Sequence, residues 1–202
     1  AAFTEPLACC VRAVKRLNPL LHDTVLLYGL GSIGLMLVQV LKLYRARVIG
    51  LDLVGERCER AKAFGADVTL TPGQADVAQA VREATQGRGA DAAILTAGGP
   101  RVLGGAIDLL RDGGVAMLFA SDPAHQRGEL DIHRFFHREL SLVSSYSPST
   151  VELQEALALL AERTVRVKTL VTHRVPLADL NHGMRLFRDK EALKVFVEME
   201  QP

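Results

Sequence analysis

Short apolar runs alternate with amphipathic stretches along most of this chain of 202 residues. Continuous apolar runs are typical of strands buried on both faces, whereas apolar residues three and four positions apart indicate helices. Because the predicted strands and helices alternate, parallel pairing through helical crossovers is expected. The pattern therefore predicts an α/β fold with a doubly wound, parallel six-stranded sheet. The predicted strands are residues 24–28, 47–51, 68–70, 92–96, 115–119 and 142–146, and the helices between and after them are residues 33–45, 56–64, 75–85, 101–111 and 151–162.

The two ends of the chain do not fit this alternation. We predict a leading helix and linker over residues 1–20, a nucleotide-binding domain over residues 21–164, and a segment over residues 165–202 that belongs to a second domain. The chain begins without Met and inside a helix-like pattern, so we expect it to be a trimmed part of a longer protein. The elements predicted at the ends are a helix over residues 6–17, strand-like runs over 169–175 and 193–199, and a helix over 177–188.

Composition narrows the class of protein. The chain has 24 Lys and Arg against 23 Asp and Glu, with no basic stripe, which argues against a nucleic-acid partner. No apolar run is long enough to span a membrane, and no signal peptide opens the chain. The three cysteines, Cys9, Cys10 and Cys58, are odd in number and low in density, which argues against a disulfide framework and favours a reducing compartment. These features predict a cytoplasmic protein without membrane contact.

A glycine-rich motif lies between the first predicted strand and the helix that follows it. Gly29 permits a tight turn, Gly31 lets the backbone approach a diphosphate, and Gly34 lets the helix pack close to the sheet. The helix N-terminus then presents free N–H groups and the positive end of its dipole to the phosphates. An ordinary glycine-rich turn is the alternative, but the strand–turn–helix setting favours dinucleotide binding. The full G-x-G-x-x-G motif is Gly29, Leu30, Gly31, Ser32, Ile33 and Gly34.

Asp52 ends the second predicted strand, eighteen residues after Gly34. A carboxylate at this position is expected to accept hydrogen bonds from the adenosine ribose and to repel a 2′-phosphate, which favours NAD over NADP. Arg57 complicates this choice, because a nearby guanidinium pairs with a 2′-phosphate. Two other roles for Arg57 remain open: stacking near the adenosine ribose, or plain exposure to solvent.

The carboxyl ends of the later strands should line the same crevice. Small residues after strands four and five would leave room for a flat ring, although tight turns alone explain them equally well. The candidate cofactor contacts here are Thr96 and Ala97 after strand four, Phe119, Ala120 and Ser121 after strand five, and Ser145 in strand six.

Several further short motifs lie along nearly the whole chain. Together with Val25 to Gly34, Asp52 and Arg57, they are Glu5-Pro6-Leu7-Ala8, Ala61-Lys62, Phe64-Gly65-Ala66-Asp67, Arg111-Asp112-Gly113-Gly114, Leu170 to Leu177 and Ala192-Leu193-Lys194-Val195. In this combination, which is far more specific than the glycine motif alone, the chain resembles the zinc-type medium-chain alcohol and polyol dehydrogenases, nearest to the sorbitol and threonine dehydrogenases.

This resemblance implies a two-domain enzyme whose N-terminal catalytic domain is missing here and whose tail is the returning piece of that domain. It implies that Glu5 lies at or beside a catalytic zinc, although an exposed acid at a helix start explains Glu5 as well. The family's Cys and His zinc ligands have no counterpart, so we expect Glu5 alone to bind no metal. Ser145 stands where some polyol dehydrogenases carry Arg, which puts inherited substrate contacts in doubt. In the family the edge strand pairs across a dimer, so we expect a homodimer or homotetramer.

We therefore predict an NAD-dependent oxidoreductase that transfers a hydride between a secondary alcohol or polyol and nicotinamide with catalytic zinc. The chain would supply the cofactor-binding part and be inactive alone. A zinc-independent NADPH quinone or enone reductase and a non-catalytic nucleotide-binding module remain alternatives.

Other candidate sites are weaker. Cys9 and Cys10 lack chelating spacing and are expected to pack on the leading helix. His133 and His137 have the spacing of a metal pair, but a short packed or solvated helix explains them better. Tyr-x-x-x-Lys and G-x-S-x-G motifs are absent from the sequence, which argues against a short-chain dehydrogenase and a serine hydrolase.

Overall fold

A computed structural model describes residues 1–120 and 127–199 of the protein. The chain divides into two compact units, Ala1–Ala158 and Leu159–Pro202. Ser121 and the last three residues of the predicted returning segment lie outside the described residues.

The first unit contains the predicted parallel sheet with helices between its strands. All neighbouring strands pair in parallel, and their order is β3-β2-β1-β4-β5-β6. This order, which reverses direction beside β1, is that of the doubly wound dinucleotide-binding fold and confirms the predicted fold class. The strands are β1 (Thr24–Tyr28), β2 (Arg47–Leu51), β3 (Val68–Leu70), β4 (Ala90–Leu95), β5 (Leu110–Leu118) and β6 (Ser141–Ser144), and the helices are α1 (Thr4–Leu17), α2 (Ser32–Leu43), α3 (Gly55–Ala63), α4 (Val77–Ala84), α5 (Pro100–Leu109), α6 (Ile132–His137) and α7 (Thr150–Ala161).

The middle of the sheet is the core of this unit. Every residue of β4 is buried, as are four of the five residues in each of β1 and β2, because helices cover both faces. The leading helix α1 packs against α2, with Leu7, Val11 and Val14 fully or almost fully buried. No helix in the described part of the chain has the length and apolar character to cross a membrane.

Asp91 connects three elements at the amino edge of the sheet, opposite the glycine motif. Its carboxylate accepts the Thr24 N–H of β1 at 2.8 Å and two hydrogen bonds from Arg88 at 2.6 and 2.9 Å. Arg111 of β5 donates to it from Nε at 2.6 Å. Burial alone would raise the pKa of Asp91, but these donors outweigh burial and lower it to about 2. A buried carboxylate thus ties β1, β4 and β5 together.

A capping box begins α7 and connects it to α1. The carboxylate of Glu152 accepts hydrogen bonds from both the N–H and the hydroxyl of Ser149, three residues earlier. Arg12 of α1 lies 3.4 Å from the same Glu152 oxygen. The Ser149 hydrogen bonds lower the pKa of Glu152 to about 2.

The second unit is a small parallel pair of strands with one helix. Its strands β7 (His173–Pro176) and β8 (Val195–Glu198) pair in parallel, and α8 (Leu180–Arg188) joins them. A Cβ added to Gly183 of α8 would lie 3.0 Å from Val175 and Val195, so this glycine lets the helix pack closely on the strands.

The predicted strand over residues 169–175 is wrong in its first half. Residues Lys168–Leu170 form a 3-10 turn that buries Leu170 completely, and the Val171 N–H closes the turn on the Lys168 carbonyl. Strand pairing begins only at His173, opposite Val195, because this turn takes up the residues before it. The apolar residues at the start of this segment thus reflect burial of Leu170 in a turn and not strand pairing.

Candidate nucleotide-binding site

The glycine motif forms the turn from β1 into α2, and its three glycines meet different surroundings. Gly29 has a φ of +92°, and a Cβ there would lie 2.4 Å from the Thr96 hydroxyl. A Cβ at Gly34 would lie 2.0 Å from the Gly29 carbonyl oxygen, so only glycine lets α2 approach the turn this closely. A Cβ at Gly31 would meet no atom within 4 Å. The outer glycines are thus required for packing, and the middle one faces open space.

The N-terminus of α2 is suited to an anion. Gly31 is the N-cap residue and supplies no side-chain hydrogen bond, and the first turn carries no acidic residue. The first N–H groups of a helix have no partner within the helix, so they are available to a ligand together with the positive end of the dipole. Ser32 and Ile33 are half-buried at this end. The open cradle at Gly31 and the uncapped helix end therefore fit the diphosphate of a dinucleotide.

The carboxylate of Asp52 is directed at the glycine turn. Its Oδ2 accepts the Leu30 N–H at 2.7 Å, and its Oδ1 accepts the Val54 N–H at 2.9 Å. The side chain is 7% exposed, and Arg57 Nη1 lies 3.7 Å from Oδ2. Each carboxylate oxygen has a second lone pair, so the group retains capacity to accept a ribose hydroxyl. The predicted ribose contact stays a prediction, and the bond to Leu30 is a second role that the sequence analysis missed.

Leu30 and Thr96 contribute to the site differently from what their place in the motifs indicates. The Leu30 side chain is fully buried against Gly50 of β2, where an added Cβ would lie 2.9 Å from its Cδ2, so only its backbone can face a ligand. The Thr96 hydroxyl lies 2.8 Å from the Tyr28 carbonyl oxygen and 3.1 Å from that of Gly29, and donates to them. Its polar group therefore supports the turn rather than pointing to a ring.

The remaining candidate contacts follow neighbouring strands, and Ser145, which was predicted inside strand six, lies one residue after the end of β6. Ala97 and Ala120 are exposed, and the N–H groups of Phe119 and Ala120 both point at the Leu95 carbonyl, at 3.1 and 3.3 Å. Ser145 is buried, and its N–H donates to the Leu118 carbonyl at 3.1 Å. The carboxyl ends of β4, β5 and β6 thus end at the same edge of the sheet as the glycine turn. Contact of these residues with a cofactor stays a prediction.

Glu5, the predicted zinc ligand, is exposed in the first turn of α1 and accepts a hydrogen bond from the Cys9 thiol at 3.2 Å. Burial and then the Glu5 carboxylate raise the pKa of Cys9 to about 12, so the thiol is protonated at neutral pH. Within residues 1–120 and 127–199, no three His, Cys, Asp or Glu side chains are grouped to hold a metal ion. The described residues alone therefore do not form a zinc site.

The other candidate metal ligands are surface or core residues. His133 and His137 are exposed on α6, with ring centroids 4.1 Å apart. Cys10 is fully buried on α1, as the sequence indicated, and all three cysteines are free thiols.

The strand order and the glycine turn at the β1–α2 junction place this unit in the doubly wound class of α/β domains. The sequence profile of the family described as "Zinc-binding dehydrogenase" matches residues 32–162. The chain therefore belongs to the zinc-binding dehydrogenase family, which confirms the resemblance drawn from its motifs.

Curated relatives include polyol dehydrogenases. The chain is 33% identical to a sorbitol dehydrogenase from Halalkalibacterium halodurans, a match that covers 98% of this chain and 58% of that protein. It is 31% identical to the D-arabitol-phosphate dehydrogenase of Enterococcus avium, with 98% and 57% covered. The chain thus spans somewhat more than half the length of these relatives.

Solved structures show the same fold. Alcohol dehydrogenase TADH from Thermus sp. ATN1 matches with a TM-score of 0.88 and 26% identity over 98% of this chain and 57% of that one. A short chain alcohol dehydrogenase (rspB) from Escherichia coli CFT073, complexed with NADH, matches with a TM-score of 0.87 and 28% identity, covering 96% and 58%.

Proposed function

We propose that this chain is the NAD-binding part of an oxidoreductase that transfers a hydride between a secondary alcohol or polyol and nicotinamide. The observation that carries the proposal is the open cradle at Gly31 in front of an uncapped helix N-terminus. Relatives named as sorbitol and D-arabitol-phosphate dehydrogenases, and a structural neighbour complexed with NADH, support the reaction class and the cofactor.

The chain's own residues would bind and orient the dinucleotide. The N–H groups at the start of α2 would hold the diphosphate, and Asp52 would accept the adenosine ribose hydroxyls through its remaining lone pairs. The nicotinamide ring, when bound, supplies the hydride acceptor, and the small exposed residues Ala97 and Ala120 leave space for it at the strand ends.

Asp52 also favours NAD over NADP. A 2′-phosphate beside the Asp52 carboxylate would meet like charge. One observation favours the alternative, an NADPH-dependent quinone or enone reductase. Arg57 Nη1 lies 3.7 Å from Oδ2 of Asp52, so its guanidinium could turn to pair with a 2′-phosphate.

Zinc, substrate and assembly are proposed for the whole protein. The family's description as a zinc-binding dehydrogenase supports zinc. In this proposal Glu5 lies beside the zinc, and the Cys and His ligands come from the catalytic domain. Association into a homodimer or homotetramer is supported by the position of β6 at the edge of the sheet, where Leu142 is 38% exposed and neighbouring Tyr146 is 95% exposed.

Titration calorimetry of this chain with NAD and NADP tests the cofactor proposal. We expect NAD to bind and NADP to bind at least tenfold more weakly. Gly31→Ala should weaken NAD binding without lowering the melting temperature, because its methyl group fills the cradle and meets no protein atom. Gly55→Ala is the matched control, since a Cβ there also meets open space but lies at α3. No NAD binding would refute the proposal, and a preference for NADP would favour the reductase.

The catalytic role is tested on a longer protein that also contains the family's catalytic domain. Zinc-loaded protein should reduce NAD with a panel of polyols and secondary alcohols. Failure with the whole panel while NAD still binds would refute the substrate class.

A further inference from the structure

We propose that Thr96 and Asp52 act together as positioning residues that lock the Gly29–Leu30 peptide, and so orient the N–H groups after it toward the diphosphate. We call these two side chains the loop clamp. The inference rests on the proposed nucleotide-binding function, but it assigns Thr96 and Asp52 a role that does not require them to touch the cofactor.

The two side chains bind opposite sides of one peptide unit. The Leu30 N–H donates to Oδ2 of Asp52 at 2.7 Å, at the carboxyl end of β2. The Gly29 carbonyl of the same peptide accepts from the Thr96 hydroxyl at 3.1 Å, at the carboxyl end of β4. Since β2 and β4 are the two neighbours of β1, the peptide is held from both sides.

The preceding peptide, Tyr28–Gly29, is held differently. Its N–H donates to the Leu51 carbonyl at 2.8 Å, and its carbonyl accepts the Thr96 N–H at 3.0 Å, so backbone groups of the sheet fix it on both sides. The Thr96 hydroxyl proton is shared between this carbonyl oxygen, at 2.8 Å, and that of Gly29, at 3.1 Å, so the Tyr28 carbonyl does not depend on the hydroxyl alone. Both polar groups of the Gly29–Leu30 peptide, by contrast, have side-chain partners. It is therefore the point in the turn where a substitution can release the backbone.

Release at this point would matter because glycine offers little resistance to rotation. Gly29 has no Cβ, so rotation about its ψ, on one side of the Gly29–Leu30 peptide, meets little resistance if the partners of that peptide are lost. Rotation would redirect the chain entering α2, whose N–H groups are the expected diphosphate donors. The buried Leu30 side chain keeps the Gly29–Leu30 peptide from shifting its position, whereas the loop clamp keeps that peptide from rotating.

The clamp also constrains cofactor choice. Removing the Asp52 carboxylate to admit a 2′-phosphate would leave both the Leu30 and Val54 N–H groups without their acceptor. An Asn side chain has one acceptor oxygen and one donor nitrogen, so it can satisfy only one of the two. Replacement of Asp52 should therefore weaken NAD binding, and the loss of the clamp should offset part of what NADP gains from removal of the like charge.

The test compares Thr96→Val, Thr96→Ser and the control Thr69→Val in the 202-residue chain. Thr69 lies on β3, and its buried hydroxyl has no hydrogen-bond partner, so the same chemical change there removes no interaction. Thr96→Val should weaken binding of NAD about five- to tenfold, as expected for one hydrogen bond. Thr96→Ser should bind within about twofold of the wild type, and Thr69→Val should bind like the wild type.

Amide hydrogen exchange at Leu30 gives a second readout that needs no ligand. Thr96→Val should speed exchange of the Leu30 N–H about tenfold while amides in the middle of β1 keep their protection, and Thr96→Ser should restore it. Unchanged exchange at Leu30, or faster exchange with unchanged NAD affinity, would overturn the proposal. Absence of NAD binding by the wild type would instead refute the proposed function, and Leu30 exchange alone would then decide whether the peptide is locked.

Discussion

Replacement of Asp91 by Asn tests how much a buried carboxylate contributes to the sheet. Folding lowers the pKa of this carboxyl from its ordinary value of 3.8 to about 2. A tenfold change in an acid constant is equivalent to roughly 1.4 kcal/mol, so the ionised group stabilises the fold by about 2 kcal/mol. Asn can still accept the Thr24 N–H, but it cannot neutralise Arg88 and Arg111. We therefore expect the free energy of unfolding of the Asp91→Asn variant to be about 2 kcal/mol lower than that of the wild type at pH 7.

The pH dependence gives the sharper result. Because folding lowers the pKa, the contribution of Asp91 is present above about pH 4 and is lost as the pH falls through about 2. Urea unfolding from pH 7 to pH 3 should show the difference between wild type and Asp91→Asn shrinking to about 1 kcal/mol at the acid end. A difference that stays constant over this range would refute the assignment to charge.

A matched control is available for this measurement. Asp112 also binds an arginine, with Arg138 Nε 2.8 Å from its carboxylate, but its side chain is 78% exposed. Exposed ion pairs contribute little, so Asp112→Asn should change stability by less than about 0.5 kcal/mol at every pH.

Two further predictions concern α1 and its contacts. Glu152→Ala should lower the free energy of unfolding by about 1 kcal/mol in urea titrations, because it removes the capping box with Ser149. Glu152→Gln keeps an acceptor oxygen and should cost less than half as much. Equal losses for the two variants would contradict the role of Glu152 as a cap. Cys9 should react slowly with iodoacetamide at pH 8, because burial and then Glu5 raise its pKa to about 12, and Glu5→Gln should speed this reaction in site-resolved mass spectrometry without changing that of buried Cys58. No acceleration would mean that burial alone protects the thiol.

The sequence predicted the first three strands best. The predicted bounds of β1, β2 and β3 match the structure residue for residue, and in β1 and β2 the reason is that a strand buried on both faces is a continuous apolar run. The fully buried β4 was predicted over residues 92–96 and spans Ala90–Leu95. The start of β5 was missed: it begins at Leu110 rather than residue 115, through a pairing with Ala90 and a shift in register. That pairing depends on the neighbouring strand, so no local pattern reports it.

The candidate site was predicted in its parts but not in its connections. The glycine spacing identified the turn, since Gly29 and Gly34 are each required by local packing. The bonds from Asp52 to Leu30 and from Thr96 to Gly29 join residues 22 and 67 positions apart, so they depend on where three strands end relative to one another. The sequence showed an acid after β2 and a hydroxyl after β4. That both bind the same peptide could be inferred only from the strand order, which places β2 and β4 on either side of β1. The network around Asp91 was missed for the same reason.

The support of one peptide by two separate strands limits how the glycine turn can be transplanted. Residues 29–34 moved into another parallel sheet would keep their sequence but lose the acid and the hydroxyl that flank them in space. A protein engineer who grafts this turn would have to install both flanking groups on the adjoining strands, in register. Chimeras made by exchanging whole sheets should thus retain nucleotide affinity more often than those made by exchanging the turn alone.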